Sequence, residues 1–150
     1  MNEKYMKLAL KEANKAYLKK ETPIGAVIVY QDKVIARAHN LRETKQNTLA
    51  HAEALVIDKA CKKLGSWRLE DCDLYVTLEP CVMCSGAIIQ SRIKNVYYGA
   101  KNKRYGCHVS AINLFEVEFN HKVNIVGGIL EEECSSIITN FFKELRNSRE

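Results

Sequence analysis

The chain has 150 residues, 47% hydrophobic and 27% charged, a balance that excludes a disordered chain and suffices for a buried core. Lysine and arginine outnumber the acids 23 to 18, a formal charge of +5 that is compatible with an anionic partner and diagnostic of none. No apolar run approaches the roughly 20 residues of a membrane span, so no membrane association is expected.

With two prolines and no linker, repeat or low-complexity tract, one domain over residues 1–150 is expected. The polar start Asn2-Glu3-Lys4-Tyr5 runs straight into a helical pattern, which argues against a secretory signal. The six cysteines then read as thiols or metal ligands rather than a disulfide framework, and the expected compartment is cytoplasmic.

Residues 3–19 place Tyr5, Met6, Ala9, Leu10, Ala13, Ala16 and Tyr17 at helical spacing, with Thr22-Pro23 as the stop. Residues 24–30 form an almost continuous apolar strand, 31–33 a polar turn, and 34–39 a second strand. Residues 40–47 read as loop. A helix from Thr48 to Lys63 carries His51 and Glu53 in its first turn, and Gly65 ends it. A strand over 73–78 breaks at Pro80 into a helix over about 81–90, and 95–100 is the next strand. A basic loop follows, then a short apolar helix over 110–116, a strand over 123–126, and an amphipathic helix over 131–146. This order predicts an α/β fold: a three-layer α/β/α sandwich with a five-stranded mixed central sheet flanked by helices. The early hairpin is antiparallel, and the later strands are parallel by crossovers.

The chemistry concentrates in Thr77-Leu78-Glu79-Pro80-Cys81-Val82-Met83-Cys84 and His51-Ala52-Glu53. Cys81 and Cys84, one helical turn apart, suit one metal ion, and a helix N-terminus favours their thiolates. His51 supplies a third donor, and three protein ligands leave a position for water, the open pattern of a catalytic zinc. Glu53, an unligated carboxylate beside that water, suits a proton shuttle. Residues i and i+2 diverge on a helix flank, so His51 and Glu53 share a site only if the metal lies beyond the helix N-terminus. Two helix N-termini must therefore point at one ion. The competing reading is a closed structural site, with Cys72 or Cys107 as the fourth ligand; a redox dithiol leaves His51 and Glu53 without a role. Cys61, Cys72 and Cys134 read as buried small hydrophobes, and His39 and His121 as structural.

The paired H-x-E and P-C-x-x-C words are the signature of zinc-dependent base deaminases. With Asn40, Ser91-Arg92-Ile93, Tyr98-Gly99-Ala100, Asn120-His121, Gly127-Gly128-Ile129-Leu130 and Phe141-Phe142, about the whole chain resembles the bacterial tRNA adenosine deaminases of the cytidine deaminase superfamily. The resemblance implies a cytidine deaminase-like fold and one Zn2+ per subunit on His51, Cys81 and Cys84. It also implies a homodimer acting on a tRNA anticodon loop. Activated water attacks C6 of the wobble adenine, Glu53 protonates N1 and then the leaving amine, and the products are inosine and ammonia. Substrate contacts carried over are Asn40, Pro23, Ile24, Leu78, Asn102, Lys103, Arg104 and Phe142. Of the last aromatic pair, one residue is expected in the core and one at the site.

The segment Lys101-Asn102-Lys103-Arg104-Tyr105 resembles a phosphate-contacting loop beside a stacking aromatic, with a plain solvated loop as the alternative. It departs from the family in Asn102, where Asp is usual, and in Cys107-His108-Val109, which replaces small residues. Asn donates as well as accepts, so Asn102 is expected to loosen discrimination between RNA and DNA or shift which loop is accepted. Two alternatives stand beside the leading one: a deaminase of a free guanine- or cytosine-type base or nucleoside, and a non-catalytic zinc protein.

Overall fold

A computed structural model describes residues 2–148, and the first helical repeat forms there as α1, Glu3–Leu18. The Asn2 side chain caps it by accepting the Lys4 N–H, and Tyr5, Met6, Ala9, Ala13 and Ala16 make the buried stripe. The helix ends before Thr22-Pro23. Lys20 takes a left-handed φ of 63° and the Glu21 N–H returns to the Ala16 carbonyl, so a local closing motif, not the proline, stops it.

β1 (Gly25–Tyr30) and β2 (Lys33–His39) form the expected hairpin. Its two loop residues, Gln31 and Asp32, both have positive φ, as a tight turn matching strand twist requires. Then come α2 (Arg42–Lys45), α3 (Ala52–Leu64), β3 (Cys72–Leu78), α4 (Val82–Gln90), β4 (Asn95–Ala100), β5 (Asn124–Val126) and α5 (Glu131–Asn147). The five strands lie in the order β2-β1-β3-β4-β5. β1 is antiparallel to both β2 and β3, whereas β3, β4 and β5 run parallel. The sheet is mixed, as the element order predicts.

Strand alternation sends Ala26, Ile28, Ala36, Leu74, Val76 and Val96 to one face, where Val56 and Ala60 of α3 and Ile88 of α4 cover them. Val27, Val29 and Tyr75 face the other way, against Tyr5, Met6 and Ala9 of α1 and Cys134 of α5. These are the three layers. Gly25 allows the closest approach: a Cβ there would overlap the Ala9 carbonyl oxygen and the Ala13 nitrogen.

Four expectations change. The 40–47 loop contains α2, whose N-cap Leu41 makes no side-chain bond; Asn40 Oδ1 accepts the Arg42 N–H, and the buried Glu21 carboxylate, far upstream in the chain, accepts those of Glu43 and Thr44. The third helix starts at Ala52 rather than Thr48, because Asn47 folds residues 47–50 into a turn by accepting the Leu49 N–H. The helix expected over 110–116 shrinks to one 3-10 turn, Leu114–Glu116. The Ala111 and Leu114 N–H groups reach back to the Gly106 and Cys107 carbonyls, too far along the chain for an α-helix. Cys61 is only half-buried, unlike Cys72 and Cys134.

Candidate metal centre and its cavity

β3 delivers its last residue, Leu78, to the sheet edge, and the Glu79-Pro80 break turns the chain into α4 with Cys81 as N-cap. His51 is the N-cap of α3, with extended backbone (φ −80°, ψ 153°), so its side chain leaves from outside the helical spiral. Glu53 follows in the first turn. The two helix N-termini converge as the i, i+2 spacing demanded.

His51 Nδ1 lies 3.7 Å from Cys81 Sγ and 3.6 Å from Cys84 Sγ, and the three donor atoms all fall within 4.8 Å of one another. Bonds of about 2.3 Å to sulfur and about 2.0–2.1 Å to nitrogen, at a tetrahedral angle, set a sulfur–nitrogen edge of about 3.6 Å. Two thiolates and an imidazole at those separations fit zinc, with a fourth position free. Among the described residues neither Cys72 nor Cys107 joins the group. Cys107 is buried, its thiol directed at the Tyr105 carbonyl, which removes the support for a closed four-ligand site.

Without a metal, the negative charge of the donor group settles on Cys81. The hydrogen bond from Cys84 pulls the Cys81 thiol down to about 4 against the cost of burial, with a further bond to His51 helping. The same Cys81–Cys84 bond, added to burial, holds the Cys84 thiol up. His51 is raised, chiefly by its bond to Cys81. Glu53 is 4% exposed, and burial, reinforced by the Cys81 charge, pushes its carboxyl up to about 7. A group poised there exchanges protons at neutral pH.

His51, Glu53 and Cys81 line a cavity of about 800 Å3. Its walls also include the expected Ile24, Asn40, Leu78, Asn102, Lys103, Arg104 and Phe142. Pro23 is the exception: it is buried and lines no part of the cavity, while its neighbours Thr22 and Ile24 do. Asn40 is held by its own chain, Nδ2 donating to the Thr22 carbonyl and Oδ1 accepting the Arg42 N–H. Asn102 Oδ1 accepts the Tyr105 N–H at 3.3 Å, so its oxygen shapes the loop. Phe141 is buried edge-on to Tyr17 and Phe142, whereas Phe142 is half-exposed on the cavity wall.

Sequence reasoning missed Thr22, Arg42, Val82 and Ile138. Ile138 is recoverable from the sequence, since it precedes Phe142 by four residues on α5; Arg42 is not, because the local pattern over 40–47 is that of a loop. His39 and His121 stay outside the site: His39 Nδ1 bonds Glu12 and His121 Nε2 bonds the Ile93 carbonyl.

The model of the MafB19-like deaminase family matches residues 1–146. The chain is 56% identical to the tRNA-specific adenosine deaminase of Bacillus subtilis, over 99% of this chain and 92% of the relative. It is 46% identical to that of Aquifex aeolicus, over 97% of each. A solved structure from work on A-to-I editing by tRNA:A34 deaminases at the wobble position of transfer RNA superposes with a TM-score of 0.88. It shares 42% identity and covers 91% of this chain and 99% of its own. The sheet order and flanking helices are thus those of the cytidine deaminase-like fold, and the chain belongs to the tRNA-specific adenosine deaminases within the MafB19-like deaminase family.

Proposed function

We propose that this protein converts adenosine to inosine at the wobble position of a tRNA, releasing ammonia. The observation that carries the reading is one cavity with a His51-Cys81-Cys84 donor group and Glu53 inside and four cations, Arg42, Lys101, Lys103 and Arg104, on its walls. Among the described residues Lys101, Lys103 and Arg104 have no acidic partner within ion-pair distance. Unpaired cations around an apolar wall of Ile24, Leu78, Val82 and Phe142 suit a base entering from a phosphate-bearing strand. A neutral free base has no use for them, and α5 contributes only Ile138 and Phe142 to the wall rather than closing over it.

His51, Cys81 and Cys84 would hold one Zn2+. When bound, zinc supplies a water acidified towards about pH 7 as the nucleophile. Glu53 accepts that water's first proton and delivers it to adenine N1 as C6 is attacked; it then takes the proton of the new C6 hydroxyl and passes it to the amine, so that ammonia leaves and the C6 carbonyl of inosine remains. Burial keeps Glu53 able to hold the proton between these steps. Asn40, already fixed by Thr22 and Arg42, retains one N–H and one lone pair for the nucleotide. One domain, paired as a homodimer in the cytoplasm, completes the proposal. Incubating the zinc-loaded protein with total tRNA and, separately, with free adenine, guanine and cytosine tests it: inosine and ammonia are expected from tRNA alone. Ammonia from a free base without inosine in tRNA overturns the reading.

A further inference from the structure

Glu79 takes no part in the chemistry above, yet it is 1% exposed and engages five donors from one loop. Its Oε1 accepts the Asn102 N–H at 3.2 Å and the Ser110 hydroxyl. Its Oε2 accepts the N–H groups of His108 (2.9 Å), Val109 (2.9 Å) and Ser110 (3.2 Å). Gly106 closes over the carboxylate; a Cβ there would overlap the Glu79 carboxyl carbon and Oε2.

The loop held in this way, residues 101–110, contains no helix or strand, yet it carries Lys101, Lys103 and Arg104 exposed on the cavity wall. It is fixed at both feet, at Asn102 and at 108–110. Buried Cys107, with its N–H on the Pro80 carbonyl, and His108 Nδ1, 2.7 Å from the Tyr98 hydroxyl, add to the hold, but the Glu79 carboxylate takes the most bonds from the loop. The Arg42 side of the cavity uses the same device, since buried Glu21 accepts the Glu43 and Thr44 N–H groups of α2. A floppy cationic loop loses ordering entropy when it meets a strand; a pinned one has lost it already.

We infer that Glu79 is a positioning residue: it fixes the 101–110 loop so that Lys101, Lys103 and Arg104 stand arranged for the phosphates flanking the target base. The inference rests on the RNA reading above. Glutamine in its place offers one oxygen and sets an NH2 group against N–H donors, so the loop loses its anchor while the metal donors stay put.

The test compares Glu79→Gln with wild type in three measurements: hydrogen exchange of the loop amides, kinetics on an anticodon stem-loop, and kinetics with Lys101, Lys103 and Arg104 all replaced by Ala. Exchange at Asn102, His108, Val109 and Ser110 is expected to quicken at least about tenfold, and KM to rise about tenfold with kcat within about threefold. In the triple-alanine background the KM effect of Glu79→Gln is expected to shrink below about twofold, because the loop then has no cations to place. Unchanged exchange, a fall in kcat at constant KM, or an undiminished KM effect in that background overturns the inference. Should Glu79→Gln not fold, Ser110→Ala removes one donor and leaves the carboxylate, with about a twofold KM rise and the same background dependence expected. If wild type makes no inosine, the deamination reading fails by itself. Amide exchange and stem-loop titration then still decide the role of Glu79.

Discussion

Glu53 and Glu79 line one cavity and are shielded alike, 4% and 1% exposed, yet their carboxyls move in opposite directions. Glu53, where burial dominates, rises to about 7. Glu79 meets N–H groups of the 101–110 loop and a hydroxyl, and falls below its usual value. Burial sets the cost of a charge; the donors decide whether the charge survives it. One acid is thereby left able to trade protons at neutral pH, and the other is kept ionised as an anchor. In the function proposed above, the difference separates the part of the cavity assigned the chemistry from the part assigned to hold the rim.

The largest effect that probes this division is on the donor group. Cys84→Ala is expected to reduce zinc per chain from about one towards zero and to take turnover below detection. Atomic absorption alongside an inosine assay checks it, and zinc retained at full occupancy contradicts the ligand set.

Stability should then split by sign. In metal-free protein, Glu53 has a folded pKa above its unfolded value of 4.5, so the folded state binds more protons between pH 4.5 and about 7 and stability falls as pH rises through that window. Glu53→Gln is expected to stabilise by on the order of 3 kcal/mol above pH 7 and to be neutral below pH 4.5. Glu79 has a folded pKa below 4.5, so its contribution is present above that pH and is lost as pH falls through the lower folded value. Glu79→Gln is expected to destabilise by at least about 2 kcal/mol at neutral pH, with the gap closing in acid. Urea unfolding across pH measures both; shifts of the same sign at pH 8 would erase the distinction.

Smaller effects belong to the rim. Lys103→Ala and Arg104→Ala should each reduce the slope of log binding constant against log salt by about one, with little change between RNA sequences. Phe142→Leu, at a half-exposed wall position, is expected to raise KM a few-fold and leave the melting temperature within about 2 °C.

The sheet is legible because its strands are short apolar runs with turn residues between them; β3 and β4 run parallel across α4, and β4 and β5 do so over a long connection that holds only one 3-10 turn. The donor group was legible because His51, Cys81 and Cys84 admit few chemistries, and the i, i+2 spacing of His51 and Glu53 already required convergent helix ends. The hidden features were those decided by distant carboxylates. Local pattern gave loop where Glu21 builds α2, and gave a helix over 110–116 where the chain instead bends around a loop anchored to Glu79. Glu79 itself sat inside the most conspicuous motif without a role, since its partners lie at least 23 residues away. The resemblance carries over Pro23 beside Ile24, whereas the strand entry buries Pro23 and turns Ile24 to the cavity.

The central claim is that Glu53 moves protons for deamination without holding the metal. Inosine formation in a wobble-adenosine stem-loop, measured together with zinc content for wild type and Glu53→Gln, tests it most directly. The account predicts full zinc in both proteins and a loss of turnover of about 10^2-fold to 10^4-fold in the variant. Zinc lost with Glu53, or inosine formed at the wild-type rate without it, would contradict the account.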